Sequence, residues 1–375
     1  MKILFTGGGS GGHFYPILSI AEEIQKLSKE YRLLQPQLYY VSDTPYNAAL
    51  LFDNNIIFRK NSAGKKRLYS SSKNFLDFFK TGWGILTALW TVFSIYPDVV
   101  FSKGGYASFP VLIAARVFRI PIIIHESDTV PGRVNKFAGK FAQRIAVSFE
   151  DAGKFFPQEK VQVTGNPVRK EITEPLTDGA HEFLKLNQDI PTILVLGGSL
   201  GAQMINNIIV DTLPQLVEKY QIIHQTGKNN FADITSRADA ILFNNRYNSR
   251  YKAFDYLNEL SMRMAAGASS LVVSRAGSAI FEIASWGLPS ILIPITESHG
   301  DHQRKNAYAY ARNKACIVLE ESNVTTHILM SEIDRLLSNE QEKTNMGNAA
   351  KAFFKADAAQ LIAKEIISIA MKHEI

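Results

Sequence analysis

Ten short, almost uninterrupted apolar runs punctuate this chain: Ile3 to Phe5, Leu38 to Val41, Val99 to Phe101, Ile122 to Ile124, Ile145 to Val147, Ile193 to Leu196, Ile222 to His224, Leu271 to Val273, Ile291 to Ile293 and Cys316 to Leu319. Segments with helical patterning separate them. A strand that is apolar at every position is covered on both faces, so the pattern calls for parallel sheet with helices above and below. The alternation restarts near Pro191 after a polar, helix-poor interval, Glu171 to Asp189, and the turn-rich segment Val163 to Arg169 stands just before that interval. At 375 residues the chain is also longer than one core usually serves. The fold class expected is α/β with two doubly wound parallel-sheet domains, residues 1–166 and 167–350. A last stretch, 351–375, carries a helix from about Ala356 to Lys372 that is a candidate to return to the first domain. Ligands of doubly wound sheets bind beyond the carboxyl ends of the strands, so two such domains would face a cleft.

Three glycine-rich segments fall at those carboxyl ends. Gly7-Gly8-Gly9-Ser10-Gly11-Gly12-His13 follows the first run, ahead of a helix expected from about Tyr15-Pro16. Lys103-Gly104-Gly105-Tyr106-Ala107-Ser108 follows the third, and Gly197-Gly198-Ser199-Leu200-Gly201-Ala202-Gln203 opens the second domain. Each lets backbone approach a phosphate at a helix N-terminus, where unpaired N–H groups favour an anion. Gly7, Gly9 and Gly12 also satisfy the dinucleotide pattern. The acidic residue that should follow about 20 positions on to hold a ribose is missing, and the nearest at a strand end is Asp43, 31 positions after Gly12. That spacing weighs against NAD.

The stretch from Leu271 to Asn306 is the most informative. A β-branched run breaks at Ser274, and Gly277-Ser278 begins a helix whose start carries Glu282. A second strand ends at Pro294, and Gln303 and Asn306 then open another helix with neutral amides. A helix end for phosphate, a carboxylate for the hydroxyl pair of a ribose and amides for further polar groups describe a nucleotide-sugar pocket. The competing reading is an ordinary strand-to-helix turn from Arg275 to Trp286.

Composition excludes several classes. One cysteine, Cys316, rules out a disulfide framework and suits a reducing cytosol. The N-terminal apolar stretch runs into glycines after Thr6, which is a buried strand and not a secretory leader. The longest apolar stretch, Trp83 to Ile95, is too short to span a bilayer. The net charge of +6 is modest, and its lysines are neither striped nor interleaved with strand aromatics, so nucleic acid is not supported.

Taken in order, Gly7 to His13, Gly104-Gly105-Tyr106, His125-Glu126, Gly165-Asn166-Pro167-Val168-Arg169, Gly197 to Ala202, Arg275-Ala276-Gly277 and His302-Gln303-Arg304-Lys305-Asn306-Ala307 resemble the MurG family. These are the N-acetylglucosaminyl transferases of glycosyltransferase family 28 that turn lipid I into lipid II in peptidoglycan synthesis. The resemblance covers residues 3 to about 320. It implies a GT-B fold of two Rossmann-like domains, with UDP-N-acetylglucosamine held mainly by the second and the polyprenyl-diphosphate acceptor by the first. Transfer would invert the anomeric carbon. By the same resemblance Ser10, Gly11, Gly12, Asp128, Arg169, Ser199, Leu257, Ser278, Ala279, Ile280, Phe281, Glu282 and Gln303 fall where the family contacts its donor. Glu282 would hold the ribose, Ser199 and the Ser278 turn the diphosphate, the Leu257 backbone the uracil, and Gln303 the sugar. Gly104, Gly105 and Tyr106 would meet the acceptor. The family also implies a peripheral position at the cytoplasmic face of the membrane, among other cell-wall synthesis proteins.

Two departures stand out. The family's His-Glu-Gln-Asn is here His125-Glu126-Ser127-Asp128, which gives position 128 a charge. One residue fewer separates Gly277 from Glu282 than in better-known relatives, which turns the helix phase by about 100°.

A sugar hydroxyl needs a base and the departing diphosphate needs its charge balanced. No Asp-x-Asp occurs in the chain, so no metal cofactor is expected, and helix N-termini would balance the charge. His299 and His302, which could pass for a metal pair, read as part of a polar loop. His13 is the leading base, because imidazole titrates near neutrality; the alternative is a histidine that caps the helix or orients the loop. Glu126 or Asp128 could serve instead, and His125 could be structural. Lys65-Lys66-Arg67 precedes an aromatic-rich helical segment, Phe75, Leu76, Phe78, Phe79, Trp83, Ile85, Leu86 and Trp90, flanked by Lys73 and Lys80. That is the composition of an interfacial patch on an anionic membrane surface, against the alternative that the rings fill a core. Other functional readings are a transferase for another lipid or small acceptor, a sugar-nucleotide epimerase, and a non-catalytic UDP-sugar-binding scaffold.

Overall fold

The computed structural model describes residues 1–64, 73–197, 202–296 and 299–372, without the side chains of 73–78 and 299. All ten expected runs are strands: β1 (Lys2–Thr6), β2 (Gln37–Ser42), β4 (Val99–Ser102), β5 (Ile122–Glu126), β6 (Arg144–Val147), β8 (Thr192–Leu196), β9 (Gln221–Gln225), β11 (Leu271–Ser274), β12 (Ser290–Leu292) and β13 (Ile317–Val318). Three more, β3 (Ile56–Lys60), β7 (Val161–Val163) and β10 (Tyr251–Phe254), lie at sheet edges. Their exposed or half-exposed positions break the apolar run that marks an interior strand.

The strands form two parallel sheets, ordered β3-β2-β1-β4-β5-β6-β7 and β10-β9-β8-β11-β12-β13. The chain divides into two compact units, Met1–Arg169 with Lys355–Ile375, and Lys170–Phe354. Burial on both faces explains the apolar strands. In β1, Ile3 and Phe5 join a core built with Ile17, Ile20 and Ile24, while Leu4 joins Val92, Val100 and Leu112 on the other face. In β8, Ile193 and Val195 pack with Ile209 and Leu213, and Leu194 and Leu196 with Ile280 and Ile283.

Within the first unit the helix Ala358–Met371 lies on the helix Gly11–Glu30, and Glu365 pairs with Arg144 at 2.9 Å. The return is pinned where Lys355 Nζ donates to the Val163 carbonyl at 3.0 Å. Gly165 sits there at φ +82°, and a side chain on it would come within 2.8 Å of Lys355 Cβ, so only glycine lets the segment pass.

The helix Gly11–Glu30 begins earlier than the Tyr15-Pro16 expected from sequence. Ser10 is extended, at φ −127° and ψ 156°, and its carbonyl accepts from both His13 N and Phe14 N at 3.0 Å. His13 therefore stands in the first helical turn. The helix Lys73–Ile95 packs on the helix Phe109–Val117 through Ala88, Val92 and Ile95. No helix among the described residues is long and apolar enough to cross a membrane.

Candidate functional site

In the first unit the chemistry gathers at the carboxyl ends of β1, β4 and β5, which are neighbours in the sheet. His13 Nδ1 lies 2.7 Å from Ser10 Oγ. Its ring is enclosed by two glycines: a side chain on Gly8 would come 3.2 Å from Nδ1, and one on Gly105 would come 3.5 Å from Nε2 and 2.9 Å from the Gly8 backbone. Gly104 and Gly105 hold φ of +84° and +83°, so the turn after β4 requires glycine twice. Burial, then the charge of Lys103, brings the His13 pKa down to about 4 against the pull of Asp128. The imidazole is neutral at pH 7.

Glu126 ends β5 and is buried. One carboxylate oxygen accepts from Asp128 N at 3.0 Å; the other accepts from Gly132 N at 3.0 Å and Asn135 Nδ2 at 2.9 Å. Burial and the neighbouring Asp128 raise its pKa. Both oxygens are thus committed to the loop 127–132. His125 is buried, with Nε2 on the Gly165 carbonyl at 2.9 Å, and burial holds its pKa far below the ordinary value. Tyr106 Oη donates to Asp43 Oδ2. Arg169 lays its guanidinium 4.1 Å from the Tyr15 ring centroid.

Lys103 stands in its glycine motif with no role legible in the sequence, and Asp43 is placed there only where a ribose carboxylate would fall too far along. Lys103 is 2% exposed, with its ammonium lacking a hydrogen-bond partner among the described residues. A long charged side chain after a strand carries no local sign of burial, so nothing in the sequence singled it out.

In the second unit, Ser278 stands at the N-terminal flank of the helix Ala279–Trp286 and is exposed, with Glu282 half-buried in the first turn. Ile280 and Phe281 send their side chains into the core, Phe281 against the Phe353 ring at 6.0 Å. Their N–H groups donate to Gly277 O at 3.2 Å and Ser278 O at 3.1 Å. The turn is held by Asn306, which donates to Ala276 O at 3.2 Å, and by Arg275, which donates to Ile293 O at 3.0 Å and pairs with Glu321 at 2.6 Å. Glu321 also accepts from Thr296 N at 2.7 Å, so one carboxylate links the segments after β11, β12 and β13. Gln303, in the first turn of the helix His302–Arg312, accepts from Ile295 N at 3.2 Å. Leu257 is buried and its N–H donates to Gln225 Oε1 at 3.0 Å. Ser199 and the Lys65-Lys66-Arg67 cluster lie outside the described residues. Among the described residues no group of three or more His, Cys, Asp or Glu is placed to hold a metal ion.

Residues 3–147 match the glycosyltransferase family 28 N-terminal domain, and residues 192–362 match the C-terminal domain of the same family. The chain belongs to glycosyltransferase family 28. Among its relatives is the UDP-N-acetylglucosamine–N-acetylmuramyl-(pentapeptide) pyrophosphoryl-undecaprenol N-acetylglucosamine transferase 2 of Bacillus cereus, 36% identical over 97% of this chain and 99% of that protein. The UDP-N-acetylglucosamine–N-acetylmuramyl-(pentapeptide) pyrophosphoryl-undecaprenol N-acetylglucosamine transferase of Pediococcus pentosaceus is 34% identical over 96% of this chain and 97% of that protein. The MurG crystal structure from Acinetobacter baumannii superposes with a TM-score of 0.72, at 24% identity over 98% and 99% of the two chains. A UDP-GlcNAc 2-epimerase from Neisseria meningitidis bound to UDP-GlcNAc gives 0.68 at 15% identity, over 98% of this chain and 100% of that one. At those identities the structural likeness establishes the fold, two Rossmann-like domains of the GT-B class. As a family 28 member, the protein carries both halves of the family's domain pair.

Proposed function

We propose that the protein transfers N-acetylglucosamine from UDP-N-acetylglucosamine to lipid I, the undecaprenyl-diphosphate-linked N-acetylmuramyl-pentapeptide, and so makes lipid II for peptidoglycan. The observation that carries this is near-full-length similarity, at 34–37% identity, to relatives named for that transfer. The acceptor hydroxyl attacks the anomeric carbon, its proton passes to His13, and the bond from that carbon to the diphosphate oxygen breaks to release UDP with inversion. Nδ1 of His13 donates to Ser10 Oγ in the reactive tautomer, which leaves the Nε2 lone pair to take the proton. Asp128 then faces the imidazolium that forms. Glu126, with both oxygens engaged, shapes the loop 127–132 and orients Asp128.

The donor lodges on the second unit. The Ser278 turn and the start of the helix Ala279–Trp286 meet the diphosphate, as Ser199 does, and Glu282 takes the ribose hydroxyls. The Leu257 carbonyl reads the uracil and Gln303 the sugar. The helix end supplies the charge balance that a metal would otherwise provide, so the reaction proceeds without a divalent cation. Ser10, Gly11, Gly12 and Arg169 complete the donor contacts, and Gly104, Gly105 and Tyr106 hold the acceptor.

The membrane is the second partner. Phe79, Trp83, Leu86, Trp90 and Phe93 follow one another at three- and four-residue intervals along the helix Lys73–Ile95 and are exposed, Trp83 by 63% and Trp90 by 71%. Such a stripe supports insertion into the interfacial layer of a bilayer, and the reading is a peripheral enzyme at the cytoplasmic face, beside its undecaprenyl acceptor.

The test is transfer of labelled N-acetylglucosamine to a short-chain lipid I analogue with and without EDTA. Product formation in both supports the reading. Donor binding without transfer would mark a UDP-sugar-binding scaffold, and C2 epimerisation of free UDP-N-acetylglucosamine would mark an epimerase.

A further inference from the structure

Lys103 has no part in that mechanism, and its setting calls for one. The residue follows β4, and its N–H donates to Thr6 O at 2.9 Å, so it is fixed beside the end of β1. A side chain built on Gly7 would find His13 Cβ and Lys103 Cβ both at 3.5 Å. The two side chains therefore leave the backbone on either flank of one glycine. From β5, Glu126 and Asp128 act on the ammonium by charge. A buried cation with none of its three N–H groups satisfied among the described residues is costly to fold, and a Met of similar length would fill the same space without that cost.

We infer that Lys103 is a positioning residue for the transfer: its buried ammonium, set beside His13 across Gly7 and facing Glu126 and Asp128, keeps the imidazole in its neutral, proton-accepting form. The inference rests on His13 being the base. The groups that act on the imidazole are Ser10 at the start of its own helix, Lys103 after β4 and Asp128 after β5. The Asp128 carboxylate would draw a proton onto the ring, and an imidazolium cannot accept one from the acceptor. The ammonium offsets it. Its effect on His13 is second only to that of burial, and Asp128 works against it. Lys103 is itself brought down to about 8 by burial, against the charges of Glu126 and Asp128, so it remains largely cationic at neutral pH.

The test follows the His13 ring by NMR in the full-length protein labelled at histidine, assigned by comparison with His13→Gln, together with the pH profile of kcat. In the wild-type protein His13 stays neutral through pH 6. In Lys103→Met its titration moves up by about 1–3 units, and the acid limb of kcat moves with it. Lys103→Arg holds the wild-type position, and Lys103→Met/Asp128→Asn moves the titration back down, which no packing defect would do. A wild-type His13 titrating near 6.5, or one unmoved in Lys103→Met, overturns the inference while leaving His13 as the base. A His13 titration that shifts while the kcat profile stays put removes His13 from the mechanism, and the role of Lys103 with it.

Discussion

Tyr106 Oη donates to Asp43 Oδ2, joining the loop after β2 to the turn after β4 across the end of β1. Asp43 is itself braced by Ser42 Oγ at 3.2 Å, and the same hydroxyl reaches the Gly7 carbonyl at 2.9 Å. The phenol is thereby fixed one residue after Gly105, whose added side chain would come 3.5 Å from His13 Nε2. Tyr106→Phe and Asp43→Ala are both expected to raise the KM for a lipid I analogue about tenfold, the size of one hydrogen bond to a charged group. Their donor Kd values should stay unchanged, and steady-state kinetics with each substrate varied in turn checks this.

His13→Ala removes the proposed base and leaves the proposed donor residues of the second unit alone. The expected outcome is a fall in kcat of about 10²- to 10⁴-fold with an unaltered Kd for UDP-N-acetylglucosamine. Equal turnover in the variant would assign the proton to another group.

Glu282 lies half-buried in the first turn of its helix, beside the exposed Ser278. Glu282→Ala should weaken UDP-N-acetylglucosamine by about 10- to 100-fold, the equivalent of one or two hydrogen bonds to a carboxylate. Isothermal titration decides, and an unchanged Kd would mean that the shortened turn carries the carboxylate away from the ribose.

The exposed rings of the helix Lys73–Ile95 set a membrane prediction. Trp83→Ser/Trp90→Ser removes two large apolar side chains that each gain about 1.5–3 kcal/mol when fully buried. Sedimentation with anionic vesicles should show binding reduced at least tenfold, while turnover of a detergent-soluble acceptor is retained. Equal binding by the double variant would place the contact elsewhere.

Arg275 and Glu321 tie the second unit's loops together at low exposure, 14% and 17% of their side chains. Despite burial, the Thr296 and Arg275 donors hold the Glu321 carboxyl below its usual range. A depressed carboxylate contributes stability that is present above its unfolded pKa of about 4.3 and is lost as pH falls through the folded value. Arg275→Met strands the carboxylate and is expected to destabilise the protein by about 3 kcal/mol. Its deficit in Tm should shrink as pH falls below about 4; a deficit independent of pH would show that Arg275 acts by packing alone.

Of the thirteen strands among the described residues, the ten that were legible in sequence include every interior one, because burial on both faces writes an apolar run into the chain. β3, β7 and β10 were missed because an edge strand is free to carry polar residues. The turn at Gly277-Ser278 was legible for a similar reason: a strand ending in small residues before an apolar helix leaves few conformations open. The engagement of the Leu257 amide by Gln225 was not, since the two residues meet only through the pairing of β9 and β10.

Local pattern alone determined that this chain makes parallel sheets, where their strands begin, and which turns can approach a phosphate, since each depends on neighbours a few residues apart. Tertiary structure alone decided which charges share a space. Residues 13, 103, 126 and 128 meet because β1, β4 and β5 lie side by side, and the order of strands in a parallel sheet is set by how helices pack across its faces, not by distance along the chain.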